Sequence, residues 1–317
     1  MKPTLYLCGA GNLEGIRLAL RINEKVARWE KIVILDDNPA KHGQSILGLE
    51  VAGPFALLGQ TDVNSAQVAN LVSRTTAKRE SARQKIKAYH LPFAALIDPS
   101  VDIFGVEYTN DISIYQGAIF AAGAFVDESS VVFLGAMVGH GCRIGKGCII
   151  APGAVVNARV QLEEGVYVGT NASILPDLRV GPWATIGANS AVVEDVPSGA
   201  TVMGVPAQVI MTLDEMRHRE VSPAPKKERP EPGKSPAALR SSIEKTLIKL
   251  WGQVLGKEHI GRNDNFFDLG GDSILAIQTI SKASQAGIKL TVRQLLDYQT
   301  IAELAEIVTS TEVIDED

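Results

Sequence analysis

Residues 130–150 run Ser130-Val131-Val132-Phe133-Leu134-Gly135-Ala136-Met137-Val138-Gly139-His140-Gly141-Cys142-Arg143-Ile144-Gly145-Lys146-Gly147-Cys148-Ile149-Ile150. An aliphatic side chain returns every sixth position, at Val132, Val138, Ile144 and Ile150. Counting outward in both directions adds Ile114, Phe120, Val126, Val156, Leu162, Val168, Ile174, Val180, Ile186 and Val192. All fourteen are apolar and thirteen are aliphatic, with no slip in phase. Four places after each of these comes a residue that is mostly small, as at Ala118, Ala124, Ala136, Cys142, Cys148 and Ala154. A period of six fits neither a lone α-helix nor an ordinary strand, whose side chains repeat at roughly 3.6 and 2 residues. It is the hexapeptide signature of a parallel β-helix, in which the aliphatic residue fills the interior and the small one lets a corner close. Three hexads make one coil, so Ile114 to Pro197 predicts about four to five coils.

Composition suits that core. Aromatics make up only 5% of the 317 residues while glycine numbers 29, which favours a repetitive, small-residue architecture. The formal charge of −5 offers no basic face for nucleic acid or an anionic membrane. No apolar run approaches the roughly 20 residues that span a bilayer. Met1-Lys2-Pro3-Thr4 lacks the basic and apolar stretches of a secretion signal. Three scattered cysteines, Cys8, Cys142 and Cys148, fit a reducing, cytoplasmic setting.

Upstream of the repeat, Leu5 to Cys8 and Lys31 to Leu35 read as buried strands flanking a loosely helical stretch from Asn12 to Ile22. That is a βαβ start, with a polar helical stretch expected over 65–89. Residues 1–100 are therefore expected as a small α/β domain and 101–213 as the coil. Residues 214–238 carry Pro223, Pro225, Pro230, Pro232 and Pro236 among charges, which reads as an extended linker. Ser222 to Ser235 in polyproline II would reach on the order of 40 Å. Residues 239–310 read as a small helical domain, with Ile243, Leu247, Leu250, Trp251, Val254 and Leu255 on one helical stripe. An acidic tail, 311–317, ends the sequence.

Three places carry chemistry. Asp268-Leu269-Gly270-Gly271-Asp272-Ser273-Ile274 puts a serine two places after a pair of glycines at the start of a helix. By itself such a serine is a helix cap. His140 falls two residues after interior Val138, so it points outward, where an imidazole can take a proton from an amine or hydroxyl. Gly9-Ala10-Gly11 lacks the third glycine of a dinucleotide fingerprint, because Glu14 stands there, which argues against NAD. Asp36-Asp37 closes the second strand and offers two carboxylates to a nucleotide, or simply starts a turn. Cys142 and Cys148 sit at the small-residue position of the repeat, so packing accounts for them. They lack the partners of a metal site.

The string around Ser273, with upstream Asn265-Phe266-Phe267 and downstream Tyr298-Gln299-Thr300-Ile301, resembles peptidyl and acyl carrier domains over about 75 residues. That resemblance implies a four-helix module with 4′-phosphopantetheine on Ser273, a phosphopantetheinyl transferase that installs it, and an adenylating ligase that loads it. The first 213 residues are similar to hexapeptide-repeat sugar acyltransferases of the sialic-acid O-acetyltransferase and bacillosamine N-acetyltransferase type. The residues carrying this are Gly9-Ala10-Gly11, Asp36-Asp37, His140 with Cys142 before Ile144-Gly145, Ala151-Pro152-Gly153-Ala154 and Gly204-Val205-Pro206-Ala207. It implies a left-handed coil, a homotrimer with sites between neighbouring coils, and His140 as general base. It also implies a nucleotide-linked sugar at Gly9, Ala10, Gly11, Asp36 and Asp37, and an acyl-donor groove at Gly153, Gly169, Gly187 and Ala188.

Four positions depart from the family. Gly141 replaces an acidic residue, Ile149 a second histidine, Phe133-Leu134 an Asn-Thr pair, and Asn12-Leu13-Glu14 a Gly-His-Gly. The expected activity is transfer of an acyl or aminoacyl group from the chain's own carrier to an amino sugar used in surface polysaccharide. The alternatives are free acyl-CoA as donor, or an inactive trimeric scaffold displaying carriers. No metal is expected.

Overall fold

The computed structural model describes residues 2–211, 237–271, 273–290, 294–295 and 298–312. The chain divides into two compact units, Met1–Val221 and Ser222–Asp317.

The first unit opens with β1 (Thr4–Cys8), α1 (Leu13–Val26) and β2 (Lys31–Leu35). β3 (Ser45–Ile46), β4 (Leu49–Gly53), β5 (Ala66–Asn70) and α2 (Thr76–Lys87) follow. The sheet order is β3-β4-β2-β1-β5, with β1 parallel to both β2 and β5. α1 turns Ile16, Leu18, Ala19 and Ile22 onto the core. The stretch 65–89 is not one helix. Ala66–Asn70 is a nearly fully buried strand, and the helix starts only at Thr76, capped by the Thr75 hydroxyl. Burial beside β1 overrides the polar composition there. From β1 the chain steps one way to β2, then crosses back to β5. The strand order therefore switches beside β1, which opens a crevice at the carboxyl ends of β1 and β5.

The repeat winds into three parallel sheets. Strand partners lie 18 residues apart, as Met137 pairs with Val155 and Val155 with Ser173. Each coil therefore gives one two-residue strand to each of three faces. The second residue of each strand points inward, and Val126, Val132, Val138, Ile144, Ile150 and Val156 are completely buried. Each such aliphatic side chain contributes about 1.5–3 kcal/mol by leaving water. The coil starts earlier than Ile114, because Leu96–Ile97 and Glu107–Tyr108 already pair with its strands. Coils approach closely at the corners: a Cβ on Gly139 would lie 2.7 Å from the backbone nitrogen of Ala158.

The outward residues give each face a character. On the covered face, Val131 and Ile149 are buried under the α/β domain, in one cluster with Leu5, Leu7 and Ile16 of β1 and α1. Buried Arg79 of α2 pins the domains together, donating to the carbonyls of Ser129, Asn70 and Val72. The apolar face presents Ile119, Met137, Val155, Ser173 and Ala191, with no charge. The charged face presents Glu107, Phe125, Arg143, Gln161 and Arg179.

The second unit contains α3 (Ala237–Leu255), α4 (Ser273–Gln285) and α5 (Ile301–Glu312) among the described residues. Leu247, Trp251, Phe266, Leu275, Ala276 and Leu304 form its core. Trp251 meets Phe266 edge-on at 4.9 Å. Most of the linker expected at 214–238 lies outside the described residues, which resume with α3 at Ala237, and so does the tail from 313.

Candidate functional site

His140 stands exposed in the corner Gly139-His140-Gly141, between the apolar strand Met137–Val138 and the charged strand Arg143–Ile144. In a triangular coil that corner lies opposite the covered face. The same corner one coil away holds Ala122 on one side and Ala158 on the other, so the imidazole is flanked by small side chains. Arg159 accompanies it from the next coil. Its backbone N–H donates to the His140 carbonyl at 2.8 Å. Its Nη1 lies 3.4 Å from His140 Nε2. Its Nε and Nη2 donate to Asp177, one coil further, at 2.6 and 2.7 Å. The hydrogen bond and charge of Asp177 push the Arg159 guanidinium up, and Arg159 in turn pulls the Asp177 carboxyl down.

Gly141 stands where the acidic residue was expected. It has φ of +65°. A Cβ there would sit 3.4 Å from Arg159 Cγ. The same place in the next two coils carries Arg159 and Asp177 at similar positive φ. The other departures have structural uses. Ile149 is buried under the α/β domain, and Phe133 stacks on Tyr115 with centroids 4.8 Å apart.

The glycine loop after β1 lies in the crevice beside β5. Asp36 ties it together. Its carboxylate accepts from Ala10 N–H and Lys41 Nζ, each at 2.8 Å, and from Asn38 N–H at 2.9 Å. Burial raises this carboxyl, but Lys41 and the two N–H groups outweigh it, so the net shift is downward. Asn12 caps α1 through Gly15 N–H and donates to the Tyr115 hydroxyl at 2.9 Å. Asp37 turns elsewhere, accepting from Phe55 N–H and Lys85. A small cleft beside α1 is lined by Glu14, Arg17, Tyr115, Gln116 and Leu134.

The expected site residues do not all meet within one chain. Gly9, Ala10, Gly11 and Asp36 cluster. Gly153, Gly169, Gly187 and Ala188 fall on the corner between the covered and apolar faces, in register with Phe133-Leu134-Gly135. His140 lies one whole face away from them. Sequence reading missed Arg159 and Asp177, although adding 18 to Gly141 reaches both in turn.

Cys142 and Cys148 are buried inside the coil, their thiols donating to the carbonyls of Asn157 at 2.8 Å and Glu163 at 3.0 Å. Burial pushes Cys148 up to about 12 and also raises Cys142 and Cys8. All three thiols are therefore expected to resist a disulfide reagent in the folded protein and to react together after denaturation. One fast-reacting thiol in the native state would contradict this. Among the described residues no group of three or more His, Cys, Asp or Glu could hold a metal ion. No described helix is long and apolar enough to cross a membrane.

In the second unit, Ser273 is the first residue of α4. Its side chain, and Asp272, lie outside the described residues. Gly271 lies against Phe266, where a Cβ would fall 2.4 Å from the ring. Gly270 has φ of +94°. The two glycines thus form a tight turn shortly before the serine.

Comparison with known proteins agrees with both halves. Residues 245–308 match the phosphopantetheine attachment site family. Chondramide synthase cmdD of Chondromyces crocatus is 46% identical over 104 residues, 33% of this chain and 3% of that protein. Tyrocidine synthase 1 of Brevibacillus parabrevis is 46% identical over 72 residues, 23% of this chain and 7% of that protein. The chain thus spans only a few per cent of the length of these relatives. The acetyltransferase domain of PglB from Neisseria gonorrhoeae, solved with acetyl coenzyme A, is 25% identical with a TM-score of 0.60, covering 66% of this chain and 100% of that one. PerB from Caulobacter crescentus, solved with CoA and GDP-perosamine, shares the fold at 22% identity and TM-score 0.58, covering 66% and 97%. WeeI from Acinetobacter baumannii shares it at 21% and 0.58, covering 66% and 100%. The chain thus joins a sugar acetyltransferase fold to a carrier segment that takes a covalent phosphopantetheine.

Proposed function

We propose that this chain is an acyltransferase that carries its own donor, moving an acyl or aminoacyl group from the carrier to the amino group of a nucleotide-linked sugar. The observation that carries this reading is an exposed His140 on an acyltransferase coil, in one chain with a phosphopantetheine attachment segment. When attached to Ser273, the prosthetic group supplies a thioester on a long arm. Gly270 and Gly271 leave the serine approachable to a phosphopantetheinyl transferase, and a separate adenylating ligase supplies the activated acid. A tethered donor reaches an effective concentration of roughly millimolar, so a weak docking surface suffices.

The site is completed by a second copy. His140 and the glycine loop belong to opposite sides of one coil, so no single chain joins them. Three left-handed coils with their apolar faces toward a three-fold axis would set the His140 corner of one copy against the corner of the next that carries Gly153, Gly169, Gly187 and Ala188. The second copy's α/β domain sits beside that corner. Ile119, Met137 and Val155 are the side chains such an interface buries. In that setting His140 takes a proton from the sugar amine, backbone N–H groups of the corner hold the carbonyl oxygen, and the crevice holds the nucleotide. The helical unit is taken as a four-helix carrier. The chemistry suits a cytoplasmic step in building a surface polysaccharide.

PglB in complex with acetyl coenzyme A favours a second reading, in which free acyl-CoA is the donor and the carrier docks a partner. Intact mass after incubation with a broad phosphopantetheinyl transferase and coenzyme A tests the step that the first reading requires. Wild type is expected to gain one phosphopantetheine and Ser273→Ala none. No gain on folded wild type would overturn the carrier reading.

A further inference from the structure

We propose that Arg159 is a catalytic residue that stabilises the negative charge developing on the carbonyl oxygen of the acyl thioester. This rests on the reading of His140 as the base.

A guanidinium has five N–H donors and no acceptor, so His140 Nε2 faces Arg159 Nη1 with its lone pair. That lone pair is the one that must take the proton of the attacking amine. Asp177 grips Nε and Nη2 together, which leaves Nη1 as the end of the cation directed at the imidazole. The grip is bidentate, the geometry in which an arginine is held rather than loosely tethered. Both residues hold their place by backbone too, with Arg159 at φ +57° and Asp177 at +67° in successive corners. Gly141 clears the approach, and Ala122 and Ala158 keep the flanks open.

An amine that reaches Nε2 must part the two side chains. Its nitrogen then bonds to the thioester carbon, and Nη1, released from the imidazole, is free to donate to the carbonyl oxygen. The balance is complete: the C–N bond forms, the carbonyl π pair moves to oxygen, and Arg159 donates to that oxygen. His140 takes the amine proton. The pair returns from oxygen, the C–S bond breaks, and the proton goes from His140 to the departing sulfur. Arg159 thus supplies a positive charge where the related enzymes place an acidic residue beside the histidine.

The test uses the unloaded full chain, with S-acetyl-N-acetylcysteamine as donor and GDP-perosamine as acceptor, so the prosthetic arm plays no part. Arg159→Gln is expected to lower kcat by about 10²-fold with little change in KM. Arg159→Ala is expected to recover part of the rate when guanidinium ion is added at low millimolar concentration, which a purely structural role would not allow. Asp177→Asn is expected to fall between wild type and Arg159→Gln. Independently of activity, the ¹⁵N resonance of His140 Nε2 is expected to move in Arg159→Gln, reporting loss of the donated hydrogen bond. A rate within threefold of wild type in Arg159→Gln, while His140→Ala is dead, would overturn the proposal and leave the base intact. An active His140→Ala would overturn the base reading instead. An unmoved Nε2 resonance would overturn the contact itself.

Discussion

His140→Ala is expected to lower acyl transfer to the amino sugar by on the order of 10³-fold, while modification of Ser273 goes to completion. The size follows from what the imidazole does. A sugar amine attacks only as the free base, and an amide forms only if a proton of that amine is then carried away during the reaction. His140 is the histidine of the coil, and its exposed corner is flanked by alanines. The other ionisable side chains at this corner are already paired, Arg159 with Asp177. No described neighbour is placed to take over the proton. The loss is expected in kcat rather than in KM, because alanine already fills the corresponding positions of the adjoining coils without disturbing the fold. Steady-state kinetics at saturating acceptor checks it. A loss under fivefold would mean that the proton leaves by another route.

The double substitution Ile119→Glu with Met137→Glu is expected to give a monomer and to abolish transfer, again with Ser273 fully modifiable. These side chains are 58% and 37% exposed, so the coil itself tolerates charge there. An assembly with the apolar faces inward does not, since it would bury carboxylates without partners. Light scattering reads the assembly, and thermal melting confirms that the coil persists. A monomer that still transfers at the wild-type rate would show that one chain suffices. A trimer that survives both glutamates would show that another face forms the contact.

The coil was legible because its repeat is one-dimensional. Each hexad needs one inward aliphatic residue, and Ile114 to Val192 supplies fourteen in phase. His140 was placed by the same count, two residues past Val138, and the structure puts it on an exposed corner. The hexad does not say which of three corners a residue occupies, because all three share one phase. Only the 18-residue register does, and it sets Gly153 and Gly169 on a corner one face away from the histidine. The same register would have found Arg159 and Asp177. Asp36 was legible as a strand-end carboxylate, but its partners, Ala10 N–H and Lys41, depend on how the loop folds back. The strand at Ala66–Asn70 was hidden because its polar residues, Gln67 and Asn70, look solvated until burial beside β1 decides the matter. Ser273 was legible through the resemblance of its surroundings, Gly270-Gly271 with Asn265-Phe266-Phe267, to carrier domains, while the contact of Gly271 with Phe266 could be seen only in the structure.

The most direct test is the discharge of the loaded chain. Wild-type protein carrying an acetyl thioester on its own phosphopantetheine would be mixed with a nucleotide-linked amino sugar, GDP-perosamine or a UDP-linked counterpart, with no free coenzyme A. Intact mass would be followed over time. The account predicts that the acetyl mass disappears from the protein in a first-order decay whose rate is independent of protein concentration, that the N-acetyl sugar appears in equal amount, and that His140→Ala keeps its acetyl group. An acetyl group that stays on wild type, while acetyl coenzyme A acylates the same sugar, would contradict it.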